Sequence, residues 1–123
     1  MIERGMKMFK TPTDVRNYIT LTIAKFAKEY STWNYKIEYS NRLSSSLATV
    51  HHRYLMGKCV SLKFVFNNKF LNSFKENEEE IKDTVLHEIA HAIAGGNHHH
   101  DRVWKDVCNR LGCKPSRFKD VNY

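Results

Sequence analysis

The chain has 123 residues and a mass of 14.5 kDa, with 41% hydrophobic and 27% charged side chains, which suits one soluble globular domain with a modest core. There is no room for a second domain of ordinary size, no apolar run near the roughly 18 residues of a membrane helix, and no signal-peptide stretch in MIERGMKMFK. The net charge of +7 is uneven: residues 1–75 hold 13 basic and 4 acidic side chains, so a polyanion is a candidate partner alongside the plainer role of solubilising surface.

Thr11-Pro12-Thr13-Asp14 is a helix-start signal, and Val15, Tyr18, Ile19, Ile23, Phe26, Ala27 and Tyr30 follow at helical spacing, which predicts a helix over about 13–30. Trp33 and the alternating Tyr35, Ile37 and Tyr39 predict a half-buried strand. Ser44-Ser45-Ser46 and Gly57 punctuate a segment, Leu47 to Met56, with room for a second strand. Val60, Leu62, Phe64 and Phe66 alternate again and stop at Asn67-Asn68. Asn77-Glu78-Glu79-Glu80 resembles a helix cap with acid in the first turn, so a second helix is expected from near 78. Ile81, Val85, Ile89 and Ile93 carry it, and Gly95-Gly96-Asn97 ends it. A third helix spans about 101–111, with Val103, Trp104, Val107, Cys108 and Leu111 inward and Gly112 as its stop. The expectation is an α+β, zincin-like single domain over 1–123: an N-terminal helix, a sheet of about three strands, and two further helices.

Within the second helix stands His87-Glu88-Ile89-Ala90-His91, an H-E-x-x-H pattern. At about 100° per residue the two imidazoles project about 40° apart, away from Ile81, Val85 and Ile89, so both can reach one ion. Glu88 stands one step round from His87, placed to act as general base on a water at the metal without ligating it. A zinc site that keeps one position open needs a third protein ligand, and His98, His99 and His100 are the candidates. Read as part of the third helix, His100 continues the stripe of Trp104, Val107 and Leu111 and is favoured, with His98 as the alternative. One Zn2+ per chain on His87, His91 and His100 is expected.

Three cysteines, Cys59, Cys108 and Cys113, form no CxxC pair, and an odd number argues against a disulfide framework. An intracellular location, cytoplasmic or nuclear, is therefore expected. Cys108 reads as a small core residue, and no second zinc or zinc ribbon is expected from Cys108 and Cys113. His51, His52, Arg53 and Tyr54 read as solvated surface in preference to a cleft wall, and Trp33 and Tyr35 as core packing in preference to base-stacking platforms.

A metzincin needs Gly at 94 and His at 97, where this chain has Ala94 and Asn97. What remains, in HEIAHAIAGGNHHHDRVWKDVCNRLGC, is H-E-x-x-H, eight residues, then H-x-x-x-W. That arrangement resembles the SprT-like metalloprotease family, which includes the Spartan proteases that degrade proteins crosslinked to DNA. Trp33, the strand Tyr35 to Tyr39, Asn41-Arg42-Leu43 and the strand Val60 to Asn68 extend the resemblance. It implies His87, His91 and His100 as zinc ligands and Glu88 as catalytic acid/base, in a metalloendopeptidase acting on protein substrates. Together with the basic N-terminal half it points to DNA as a partner, single-stranded and bound without sequence specificity; no membrane partner and a monomeric chain are expected. Two other classes compete: a zinc-stabilised nucleic-acid-binding module that cuts nothing, and a hydrolase of small amides. Glu88 favours an enzyme, because structural sites are usually filled by four protein ligands and have no use for an adjacent base.

Overall fold

A computed structural model describes residues 7–29, 34–43, 46–98 and 100–114 of the chain. In order, the elements are α1 (Pro12–Glu29), β1 (Tyr35–Ser40), β2 (Ala48–Leu55), β3 (Lys58–Asn67), α2 (Asn68–Asn72), α3 (Phe74–Ala94) and α4 (Arg102–Leu111). The α+β class and the expected three strands are both present. Trp33 and His99 lie outside the described residues.

The strand order is β1-β3-β2, with β1 parallel and β2 antiparallel to β3. Composition explains why β3 is central: Phe64, Val65 and Phe66 are buried in succession, with Leu62 buried before Lys63, so the end of the strand needs cover on both faces. Val60, expected to continue the alternation, is exposed, because the register shifts there and Arg53 and Tyr54 pair with Ser61 and Cys59. The order leaves β2 at one edge of the sheet.

Asn67 ends β3 and caps α2, its Oδ1 accepting from the N–H groups of Lys69 and Phe70 at 2.9 and 3.3 Å. Its amide nitrogen donates to the carbonyls of Leu43 and Ser46, so one fully buried side chain also holds the approach to β2. The short helix α2 was not expected from the sequence.

The main core joins Val15, Ile19 and Ile23 of α1, the inner face of β3, Phe70, and Ile81, Val85, Ile89 and Ala92 of α3. A smaller core of Ala90, Trp104, Val107, Cys108 and Cys113 seats α4 against the other side of α3. The helix expected from 78 begins one turn earlier, but Asn77 (φ −125°, ψ 31°) breaks it, so regular geometry does start at 78. Glu78 there is buried, and its Oε1 accepts the Phe9 N–H at 2.6 Å, tying the N-terminal segment to α3.

The third helix departs more. Its N-cap is Asp101, whose carboxylate accepts the Trp104 N–H at 3.1 Å, so His100 precedes the helix and has a left-handed backbone (φ 57°). Val103, expected inward, is exposed. The cysteine expectation is also corrected: Cys108 and Cys113 are joined as a disulfide, with Cα atoms 5.2 Å apart. Gly112 adopts φ 84° at the end of α4 and folds the chain back, which brings Cys113 onto Cys108. Among the described residues no helix is long and apolar enough to cross a membrane.

Candidate active site

The two faces of α3 have different destinations. Ile81, Val85, Ile89 and Ala92 enter the main core, while Thr84, His87, Glu88 and His91, at spacings of three and four, line an open cleft of about 1010 Å³. The opposite wall is the edge strand, from Ala48 to His52 with Tyr54, and the loop from Gly95 to His98 with His100 closes one end. All four residues singled out for chemistry, His87, Glu88, His91 and His100, thus face one cavity. His51, His52 and Tyr54 line it too; His51 and Tyr54 are exposed as expected, and they are cleft wall at the same time. What the sequence lacked was the strand order that puts β2 beside α3.

His91 and His100 meet directly, Nε2 to Nε2, at 3.1 Å. Adjacent donors in a tetrahedral site with metal–nitrogen bonds of about 2.0–2.1 Å stand about 3.3 Å apart, so this pair fits zinc as it stands. Trp104, fully buried, is the floor on which they rest: its ring centroid lies 5.1 Å from that of His91, 4.6 Å from His100 and 5.3 Å from His87. Its indole N–H donates to the His87 carbonyl at 3.3 Å. His100 reaches this position from a left-handed backbone just before the helix, and not as a helical residue on the stripe of Trp104, Val107 and Leu111.

His87 is buried and differently engaged. Its Nε2 contacts the Lys114 carbonyl and lies 3.0 Å from Asp83 Oδ2, while Asp83 Oδ1 accepts the Lys114 N–H at 3.0 Å. Burial pushes the imidazole below its ordinary range, against the opposing pull of the Asp83 carboxylate and the Lys114 carbonyl, and so favours the neutral form that a metal ligand requires. Asp83 was missed in the sequence. The signal was there, a carboxylate four residues before the first histidine on the same helical face.

Glu88 is also buried in the cleft wall, only 8% exposed. Thr84, one turn before it, has its hydroxyl buried with no hydrogen-bond partner among the described residues, an available group at the cleft floor. His98 also lines the cleft, but it is His100 and not His98 that meets His91; His98 Nδ1 bonds Asp101 Oδ2 at 2.7 Å. That bond and the Trp104 N–H hold the Asp101 carboxyl below the usual range and keep it a charged cap. Among the described residues no lysine or arginine lines the cleft; Lys25 and Lys28 on α1 and Lys36 on β1 are exposed on other elements.

A small α+β domain in which an H-E-x-x-H helix and an edge strand wall one cleft falls in the zincin-like class. More narrowly, the chain belongs to the SprT-like family, whose family model matches residues 16–122. That family is generally related to metalloproteases. No curated protein and no solved structure matches the chain.

Proposed function

We propose that this chain is a zinc-dependent metalloendopeptidase. The observation that supports it best is the convergence of His91 and His100 on one point of a cleft whose wall also carries the buried Glu88. His91 and His100 would hold the ion as they stand, and His87, whose Nε2 faces Asp83 and Lys114, would complete the set once that nitrogen turns to the cleft; Trp104 lies against all three rings. A zinc ion held there supplies Lewis acidity, acidifying a water and polarising the scissile carbonyl. Glu88 accepts the proton from the attacking water and returns it to the departing amine, a role its burial suits because few solvent molecules compete for the carboxylate.

The edge position of β2 favours a peptide over a small amide. An extended chain laid along Ala48 to His52 can pair its backbone with an edge strand, so main-chain groups bind it whatever its sequence. DNA belongs to the same reading as a second partner, bound by exposed basic side chains of α1 and β1 and delivering DNA-bound or DNA-crosslinked proteins to an unselective site.

The deciding experiment is digestion of casein and of a histone by the zinc-loaded protein and by Glu88→Gln, with metal content measured on both. The wild type cleaves; the Gln variant keeps its zinc and its fold and loses cleavage by a factor of about 10² or more. Full cleavage by the zinc-loaded variant overturns the role of Glu88, and a zinc-loaded wild type that cuts neither substrate favours the binding-module class.

A further inference from the structure

On the far side of His87 from the cleft lies a second group of metal-binding atoms. Cys108 sits in the last turn of α4 and Cys113 just beyond Gly112, both buried, and one ligand atom from each lies within 4.8 Å of the others and of a ring nitrogen of His87. The Lys114 carbonyl adds an oxygen to the same point, contacting His87 Nε2 and standing 3.3 Å from Cys108 Sγ. Two sulfurs, an imidazole and an oxygen in a buried pocket are a donor set for a thiophilic ion.

We propose that, once the Cys108–Cys113 bond is reduced, these two thiolates and His87 form a second seat for a thiophilic divalent ion, and that this seat competes with the cleft for His87. In the oxidised chain the sulfurs are bonded to each other and are poor ligands. A dithiol reductant breaks that bond: two electrons and two protons pass to the sulfurs, the reductant becomes a disulfide, and the thiol protons go to solvent as the ion binds. Thiolates hold zinc more strongly than imidazoles do, so an ion with both choices takes the sulfur seat. His87 Nε2 already faces that side, toward Asp83 and Lys114. Because Nε2 of His87 serves one seat at a time, the cysteine redox state decides which seat that nitrogen completes. The competition rests on the reading of His87 as a cleft ligand; the sulfur seat itself does not.

Cobalt(II) is the probe, added in one equivalent to the full chain, either disulfide-bonded or reduced and freed of reductant without air. The reduced wild type develops a strong near-ultraviolet thiolate-to-cobalt absorption, and air reoxidation, which needs no substitution, removes it. His87→Ala weakens cobalt binding in the reduced form at least tenfold, Cys113→Ser lowers the band by half or more, and His91→Ala and His100→Ala keep it. Reduced wild type without a thiolate band, or a band of full strength and affinity in His87→Ala, overturns the sulfur seat. Failure of the cleft reading shows in another arm: His91→Ala then leaves cobalt binding by the disulfide form unchanged.

Discussion

The phenolic oxygen of Tyr54 accepts the backbone N–H of Gly96 at 2.7 Å. This bond joins the end of the edge strand to the loop that carries His100, across 42 residues of sequence. The Tyr54 ring stacks on His52 at 6.0 Å, so the β2 wall and the end of the cleft are held by one side chain. Tyr54→Phe removes the acceptor and keeps the ring. It should cost about 1 kcal/mol of stability and weaken zinc binding, because the loop that places His100 loses its tether. Gly96→Ala should act in the same direction, since a Cβ there would stand 2.8 Å from the Tyr54 oxygen. Thermal melts of zinc-free protein and zinc affinities by competition with a chelating dye check both variants. Unchanged zinc affinity in both would remove Tyr54 from the site's support.

The histidines after the glycine turn should separate cleanly. His100→Ala removes the partner 3.1 Å from His91 and should lower zinc affinity by a factor of about 10² or more, whereas His98→Ala breaks a half-exposed bond to Asp101 and should change it little. His98→Ala should leave the Asp101 cap on the Trp104 N–H in place and cost little stability. Equal losses of zinc in the two variants would contradict the assignment of His100.

Glu78 predicts a pH dependence of stability. Burial works to raise its pKa, but the Phe9 N–H and the Lys82 ammonium, 3.4 Å away, outweigh it and hold the carboxyl below its ordinary value of 4.5. A carboxyl depressed in the folded state stabilises fully above its unfolded pKa and ceases to do so as pH falls through the folded one. Glu78→Gln should therefore cost about 1–2 kcal/mol at pH 7, and the gap from wild type should close as pH falls below that ordinary value and through the lowered one. Melting curves of both proteins from neutral pH downward test this; a gap that persists at acid pH would mean that shape, and not charge, holds Phe9.

Nucleic-acid binding should be set by α1, β1 and the turn after β1. Lys25, Lys28, Lys36 and Arg42 are exposed, and charge reversal at these four positions should weaken single-stranded DNA binding at least tenfold and flatten its dependence on salt, with little change in stability. Cleavage of a DNA-bound substrate should fall with it, while cleavage of casein without DNA stays as in the wild type. Retained affinity in the reversed protein would leave the basic half as solubilising surface.

Local rules carried a large part of this protein. The helix of residues 78–94 and its two faces follow from a 3.6-residue period: Ile81, Val85 and Ile89 go to the core, while His87, Glu88 and His91 go to the cleft. The strands at Tyr35 and Leu62 follow from alternation in the same way. Neighbours within one element are fixed by backbone geometry, so their spacing is legible in one dimension. Contacts between elements are not. The edge position of β2 depends on β1 pairing in parallel with β3, and only that order places His52 and Tyr54 in the cleft. His100 was selected as a helical residue, yet it reaches His91 because Asp101 caps α4 and leaves His100 in a left-handed turn. The Cys108–Cys113 bond and the Asp83–His87–Lys114 contacts likewise wait on the reversal at Gly112, since a chain's return path is decided by which buried surfaces pack together and not by the spacing of its residues.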